Sequence, residues 1–227
     1  DRSVFFYSRI PEYDFPSVAE IRPGIFYINL MGASLQEFES RLKELSKAKA
    51  VIFDHRWDGR SVKETNSEAK PIYLAQHVIP HLAKRNVQAS PMLIPQITQP
   101  DRANWTFKEN GWGINPKTPT FSGQVIFINV PSVVSYGETC MAIVSEYKLG
   151  TLVGEPTAGC NGNVNIVPLL GDYRVMWTGM KVLKHDRSSF YRIGFNPDIP
   201  VSRTRDGVIE GRDELLEAAI AIAEESP

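Results

Sequence analysis

The chain has 227 residues, enough to bury a real core in one large domain or two small ones. Hydrophobic residues make up 42% and charged residues 22%, with a net charge of −1, so the composition is that of a globular protein without the basic excess that a nucleic acid or an anionic membrane surface would attract. No apolar run approaches the roughly 20 residues needed to cross a bilayer.

Asp1 opens the chain with neither Met nor a signal-like apolar stretch, which reads as a mature product or a piece with upstream sequence missing. Cys140 and Cys160 are too few for a disulfide scaffold and leave open one bridge or two free thiols. Neither stands in a metal-type spacing with His55, His77, His81 or His185, so no metal and no cofactor is expected. His77 and His81, four apart, would share a helix face, but no acidic residue completes a zinc-protease pattern; they read as solvated helix histidines.

Residues 1–20, aromatic and proline-containing, read as an irregular lead-in or the remnant of an upstream domain. Ile25-Phe26-Tyr27-Ile28, behind Pro23 and Gly24, is a strand signal. Ser34 with Glu37 three residues later forms a capping box, and Leu35, Phe38, Leu42 and Leu45 continue it at helical spacing. Ala50 to Phe53 is a short, continuously apolar strand of the buried parallel type, completing a right-handed βαβ unit. A second helix is expected from Asn66 to about Arg85, kinked near Pro71 or Pro80.

Residues 90–123 carry a strand signal near Met92–Ile97 and then a long excursion. Gln124 to Val130 is a third buried strand, ended by Pro131, and a helix follows from about Tyr136 to Tyr147. Leu152-Val153 is a short strand closed by the loop Gly154 to Gly159. Residues 163–183 alternate as antiparallel strands around a Gly171-Asp172 turn, and Arg212 to Glu225 is an amphipathic last helix. These elements predict one domain with a mixed sheet flanked by helices.

Three places suggest chemistry. Ser135 follows a buried strand and opens a helix, which sets its hydroxyl among free backbone N–H groups at the positive helix end, where an alkoxide and a tetrahedral oxyanion are stabilised. On local sequence alone the same serine reads first as the N-cap of its helix, with Glu138 closing a capping box. Asp54-His55-Arg56-Trp57-Asp58-Gly59 leaves the end of a parallel strand, where α/β proteins build sites. The loop Gly154 to Gly162 has glycines for close backbone approach.

Five motifs in order resemble the carboxy-terminal processing (tail-specific) protease family, in particular its tricorn-like branch, over residues 21–222. They are Asp54 to Gly59, Ser135-Tyr136-Gly137-Glu138, Gly154 to Gly159, Gly194-Phe195-Asn196-Pro197-Asp198 and Gly211-Arg212-Asp213. The resemblance implies an α/β, crotonase-like superhelical fold with a catalytic domain over 21–227. It also implies a serine peptidase acting on polypeptides, near C-termini, through an acyl-enzyme on Ser135. Backbone N–H groups of Gly59 and Tyr136 would form the oxyanion hole, and the compartment would be extracytoplasmic, periplasmic or at the cell surface.

The departures concern the base. Cys160 stands where lysine-dependent members carry their Lys, residues 1–20 hold no histidine, and Ser189 to Ile193 lack the glutamate of tricorn-like members. In the oxyanion loop Asp58 replaces Asn, and Arg60 and Ser61 follow Gly59 in place of glycines. Glu138, His185 or a histidine on upstream sequence are the candidate partners of Ser135, the last preferred; alternation sends His55 to the opposite sheet face. The alternative to a peptidase is a non-catalytic module of the same fold binding an apolar ligand or peptide, as the related interphotoreceptor retinoid-binding modules do. A domain with a decayed site is a third reading.

Overall fold

The computed structural model describes residues 15–56, 69–101, 104–189 and 191–225. Its first strands, β1 (Val18–Arg22) and β2 (Ile25–Asn29), form an antiparallel hairpin. β1 lies partly within the stretch expected to be irregular; only Val18 and Ala19 are buried in it, so it carries little apolar signal. Helix α1 (Leu35–Leu45) starts at the expected capping box: the N–H of Glu37 donates to Ser34 Oγ (3.2 Å) and that of Ser34 to Glu37 Oε2 (2.7 Å). β3 (Ala50–Asp54) is buried throughout.

The single helix expected over 66–85 is shorter. A π-turn (Leu74–Val78) runs into α2 (Ile79–Leu82), where Pro80 sits in the first turn, the position at which its missing N–H costs nothing. Residues 66–68 of that expectation lie outside the described residues. β4 (Val87–Gln88) pairs with β7 (Gly113–Ile114), and β5 (Met92–Ile97) with β6 (Trp105–Asn110). β8 (Gln124–Asn129), α3 (Tyr136–Glu146) and β9 (Thr151–Gly154) follow as expected.

The hairpin of β10 (Val164–Pro168) and β11 (Arg174–Thr178) turns through Gly171 (φ +75°) and Asp172 (φ +62°). After β12 (Lys181–Val182) and β13 (Ile199–Pro200) comes a short helix not anticipated, α4 (Arg205–Glu210), which is polar, contains Gly207 and ends at left-handed Gly211. The last helix, α5, is Glu214–Glu225.

Six strands make the main sheet in the order β1-β2-β3-β8-β9-β13, parallel from β2 onward. Each crossover steps the same way along the sheet, so the right-handed rule puts α1, the 74–82 segment and α3 on one face. α5 closes the other face, packing on β2, β3, β8 and β9. The parallel strands bring the carboxyl ends of β3 (Asp54), β8 (Asn129) and β9 (Gly154) to one edge.

Candidate active site

Between β8 and α3 the chain makes a tight turn: Val133 N–H donates to Val130 O (3.0 Å) and Gly137 N–H to Val134 O (3.0 Å). Ser135 lies in that turn with φ 54° and ψ −119°, a conformation that costs a residue with a Cβ on the order of 1–3 kcal/mol. An N-cap serine has extended backbone and bonds the first-turn N–H groups; Ser135 does neither, and it is exposed. The capping-box reading is therefore overturned. The strained turn holds the hydroxyl out at the start of the helix, and the N–H of Tyr136 is one of those that a helix leaves without an intrahelical partner.

Glu138 is fully buried, and its carboxylate accepts the N–H of Gly159 (2.6 Å) and of Cys160 (2.8 Å). It clamps the loop after β9 against the first turn of α3, and Cys160 O in return accepts the N–H of Ser135 (2.8 Å). Both oxygens are so engaged, and Glu138 ties the Ser135 turn to the loop after β9.

The loop's other side is held by the Gly194 motif. Phe195 N–H donates to Thr157 Oγ1 (2.9 Å), Arg192 N–H to Gly159 O (2.8 Å), and Leu152 N–H to Asp198 Oδ2 (2.8 Å). Gly159 (φ +70°) must be glycine, since a Cβ would stand 2.6 Å from Ile193 N.

Asp54 and Arg56 lie buried at the carboxyl end of β3. Asp54 is fully buried, accepts the Tyr27 hydroxyl (2.8 Å), and pairs with Arg56 Nη2 at 2.6 Å. The same guanidinium reaches Asp213 through Nη1 and Nη2, both at 2.8 Å, and Asp213 Oδ1 takes the N–H of Leu216 in α5 (3.1 Å). Two buried carboxylates hold the Arg56 pKa well above its ordinary value against the opposing effect of burial. Thus the first and last motifs of the sequence are the two ends of one buried ion-pair network.

His55 is a correction. β3 ends at Asp54, so strand alternation no longer governs residue 55. Its ring lies against α3's first turn: a Cβ on Gly137 would sit 2.8 Å from His55 Cε1 and 2.9 Å from Val133 Cγ1. Burial lowers the His55 pKa to about 4, partly opposed by Asp54, and Nδ1 has no hydrogen-bond partner among the described residues.

His185 is a second correction. Its Nε2 is 2.8 Å from Gln88 O and its ring meets Tyr147 edge-on at 5.7 Å. Tyr147 is the C-cap of α3, and eleven helical residues span about 16 Å, so His185 stands at the end of α3 remote from Ser135. A cavity of about 1030 Å³ bounded by Lys84, Phe121, Ser145 and Tyr147 opens at that same remote end.

Gly59 lies outside the described residues. Cys140 is buried and Cys160 exposed, and both are free thiols. His81, expected in solvent, is buried with Nδ1 2.8 Å from Pro119 O.

The family model for peptidase family S41 matches residues 23–201. The chain belongs to that family. No curated protein matches the sequence. Among solved structures, a candidate peptidase from Parabacteroides merdae superposes with a TM-score of 0.67 at 17% identity, over 93% of this chain and 66% of that one. Mature CPAF complexed with lactacystin gives 0.65 at 11% identity, over 88% and 51%. The tricorn protease gives 0.56 at 20% identity, over 89% and 18%. These likenesses confirm the expected α/β fold, and the chain spans less than two thirds of each of these three proteins. No helix among the described residues is long and apolar enough to cross a membrane.

Proposed function

We propose that this S41 chain is a serine peptidase that cleaves polypeptides, near their C-termini, through an acyl-enzyme on Ser135. The observation that carries the reading is the strained, exposed backbone of Ser135, whose hydroxyl is not spent on capping its own helix. Attack forms the bond between Oγ and the scissile carbonyl carbon, and the hydroxyl proton passes to a general base, a histidine in tricorn-like relatives. The carbonyl oxygen becomes an oxyanion facing the Tyr136 N–H, with the Gly59 N–H as second donor. Collapse expels the amine with that proton, and water releases the acyl group.

Glu138 serves by fixing the loop that holds the Ser135 N–H. An extracytoplasmic compartment belongs to the same reading, on the strength of the family resemblance. One observation favours a non-catalytic binding module: Cys160 occupies the lysine position of lysine-dependent members. A fluorophosphonate probe decides between them. It labels the wild-type chain and fails to label Ser135→Ala if Ser135 is the nucleophile. Labelling that persists in the variant rejects that assignment, and an unlabelled wild type favours the binding module.

A further inference from the structure

The residue after the nucleophile is a tyrosine, and its side chain is tied down. Its hydroxyl donates to Gln76 Oε1 (2.6 Å) and accepts the N–H of Ala75 (2.9 Å), an N–H in the first turn of the π-turn. The ring is thereby fixed beside Ser135 while still 36% exposed. Two further rings extend it. Trp112 stacks on Tyr136 at 6.5 Å with planes 19° apart, and Tyr73 meets it edge-on at 6.4 Å and 89°. Tyr73 is 46% exposed, and its backbone N–H donates to His77 Nδ1 (2.9 Å). Val134, on the other side of Ser135, is exposed as well.

The three rings come from three separate segments; Trp112 packs partly against the main core, whereas Tyr73 and Tyr136 stay exposed. Large aromatic side chains left partly open, Tyr136 held by its hydroxyl hydrogen bonds and Trp112 by packing, form a recognition surface of low entropic cost. A substrate carbonyl bonded to Ser135 Oγ and directed at the Tyr136 N–H carries its own side chain two bonds from the carbonyl carbon, and Tyr136 is the residue next to Ser135. We infer that Tyr136, Tyr73 and Trp112 form an aromatic wall that selects a large apolar or aromatic side chain on the residue whose carbonyl Ser135 attacks. This rests on the reading of Ser135 as nucleophile. An acidic side chain gains nothing from these faces and loses hydration.

The test uses the full chain and a series of peptidyl diphenyl phosphonates identical except for Phe, Leu, Gly or Asp next to phosphorus. The wild type is inactivated on the order of ten- to a hundredfold faster by the Phe and Leu reagents than by the Gly and Asp ones. In Trp112→Ala and in Tyr73→Ser that ratio falls toward one; the exposed Tyr73 position carries the test if Trp112→Ala does not fold. Equal rates in the wild type, or a ratio that neither substitution changes, overturn the wall. If no phosphonate reacts, the nucleophile assignment has failed instead. Calorimetry of the matching peptides on Ser135→Ala then decides the wall alone: tenfold tighter binding of the Phe peptide than of the Asp peptide upholds it, and equal binding overturns it.

Discussion

Replacing Glu138 by Gln keeps the size of the side chain and changes one atom that the site depends on. The fully buried carboxylate takes N–H groups from buried Gly159 at 2.6 Å and from Cys160 at 2.8 Å. Glutamine can accept only one of them; its NH₂ turns donors toward the other, which is left unsatisfied. Losing one charge-assisted bond and orphaning a buried N–H costs about 3 kcal/mol, and removing a buried carboxylate returns part of its desolvation cost, for a net of about 2 kcal/mol. In a chain of this size that lowers Tm by about 4–8 °C. The loosened Cys160 carbonyl also no longer fixes the Ser135 N–H, so fluorophosphonate labelling slows together with the fall in Tm. Thermal unfolding and labelling rates on the same preparations make the comparison. A variant within about 0.5 kcal/mol of wild type that labels at the wild-type rate refutes the clamp.

Three other outcomes follow from the same geometry. Gly137→Ala drives a Cβ to 2.8 Å from the His55 ring and 2.9 Å from Val133 Cγ1 and costs about 1–3 kcal/mol in urea unfolding, and adding both His55→Ala and Val133→Ala makes the cost of the alanine at 137 fall toward zero in that background; an unchanged cost there would disprove the contacts. Ser135→Gly relieves the φ 54° strain, so it gains on the order of 1 kcal/mol after glycine's own entropy cost while labelling is lost; a fall in stability contradicts the strain. The His55 pKa of about 4 lies below its ordinary 6.5, so in that window the unfolded chain binds a proton that the native chain does not. Stability from this residue is complete above pH 6.5 and is lost as pH falls toward 4, by at most about 3 kcal/mol, and His55→Gln flattens the slope in denaturant titrations.

The sequence motifs were legible because each is a contact between distant segments. Asp54, Arg56 and Asp213 occupy two motifs that the structure joins into one buried network, and Gly159 with Gly194 mark where two loops touch. The strands of the parallel sheet were legible from their continuous apolar runs. What one dimension concealed was direction. Glu138, three residues beyond a serine at a helix start, matches a capping box in sequence, yet it turns inward to another loop. His55 follows strand alternation only while the strand lasts, and it ends one residue earlier. His185 sits in the expected region of the chain, but the length of α3 separates it from Ser135. The side chain of Tyr136 gave no signal at all, because only its backbone N–H belongs to the motif.

The Arg56 network also sets an order of events during synthesis. Asp54 leaves the ribosome two residues ahead of Arg56, whereas Asp213 emerges 157 residues behind it. At about 5–20 residues per second that interval lasts on the order of ten to thirty seconds. Throughout it the nascent sheet holds a guanidinium whose Asp213 partner is still unmade, and the buried network is completed only when the last helix docks.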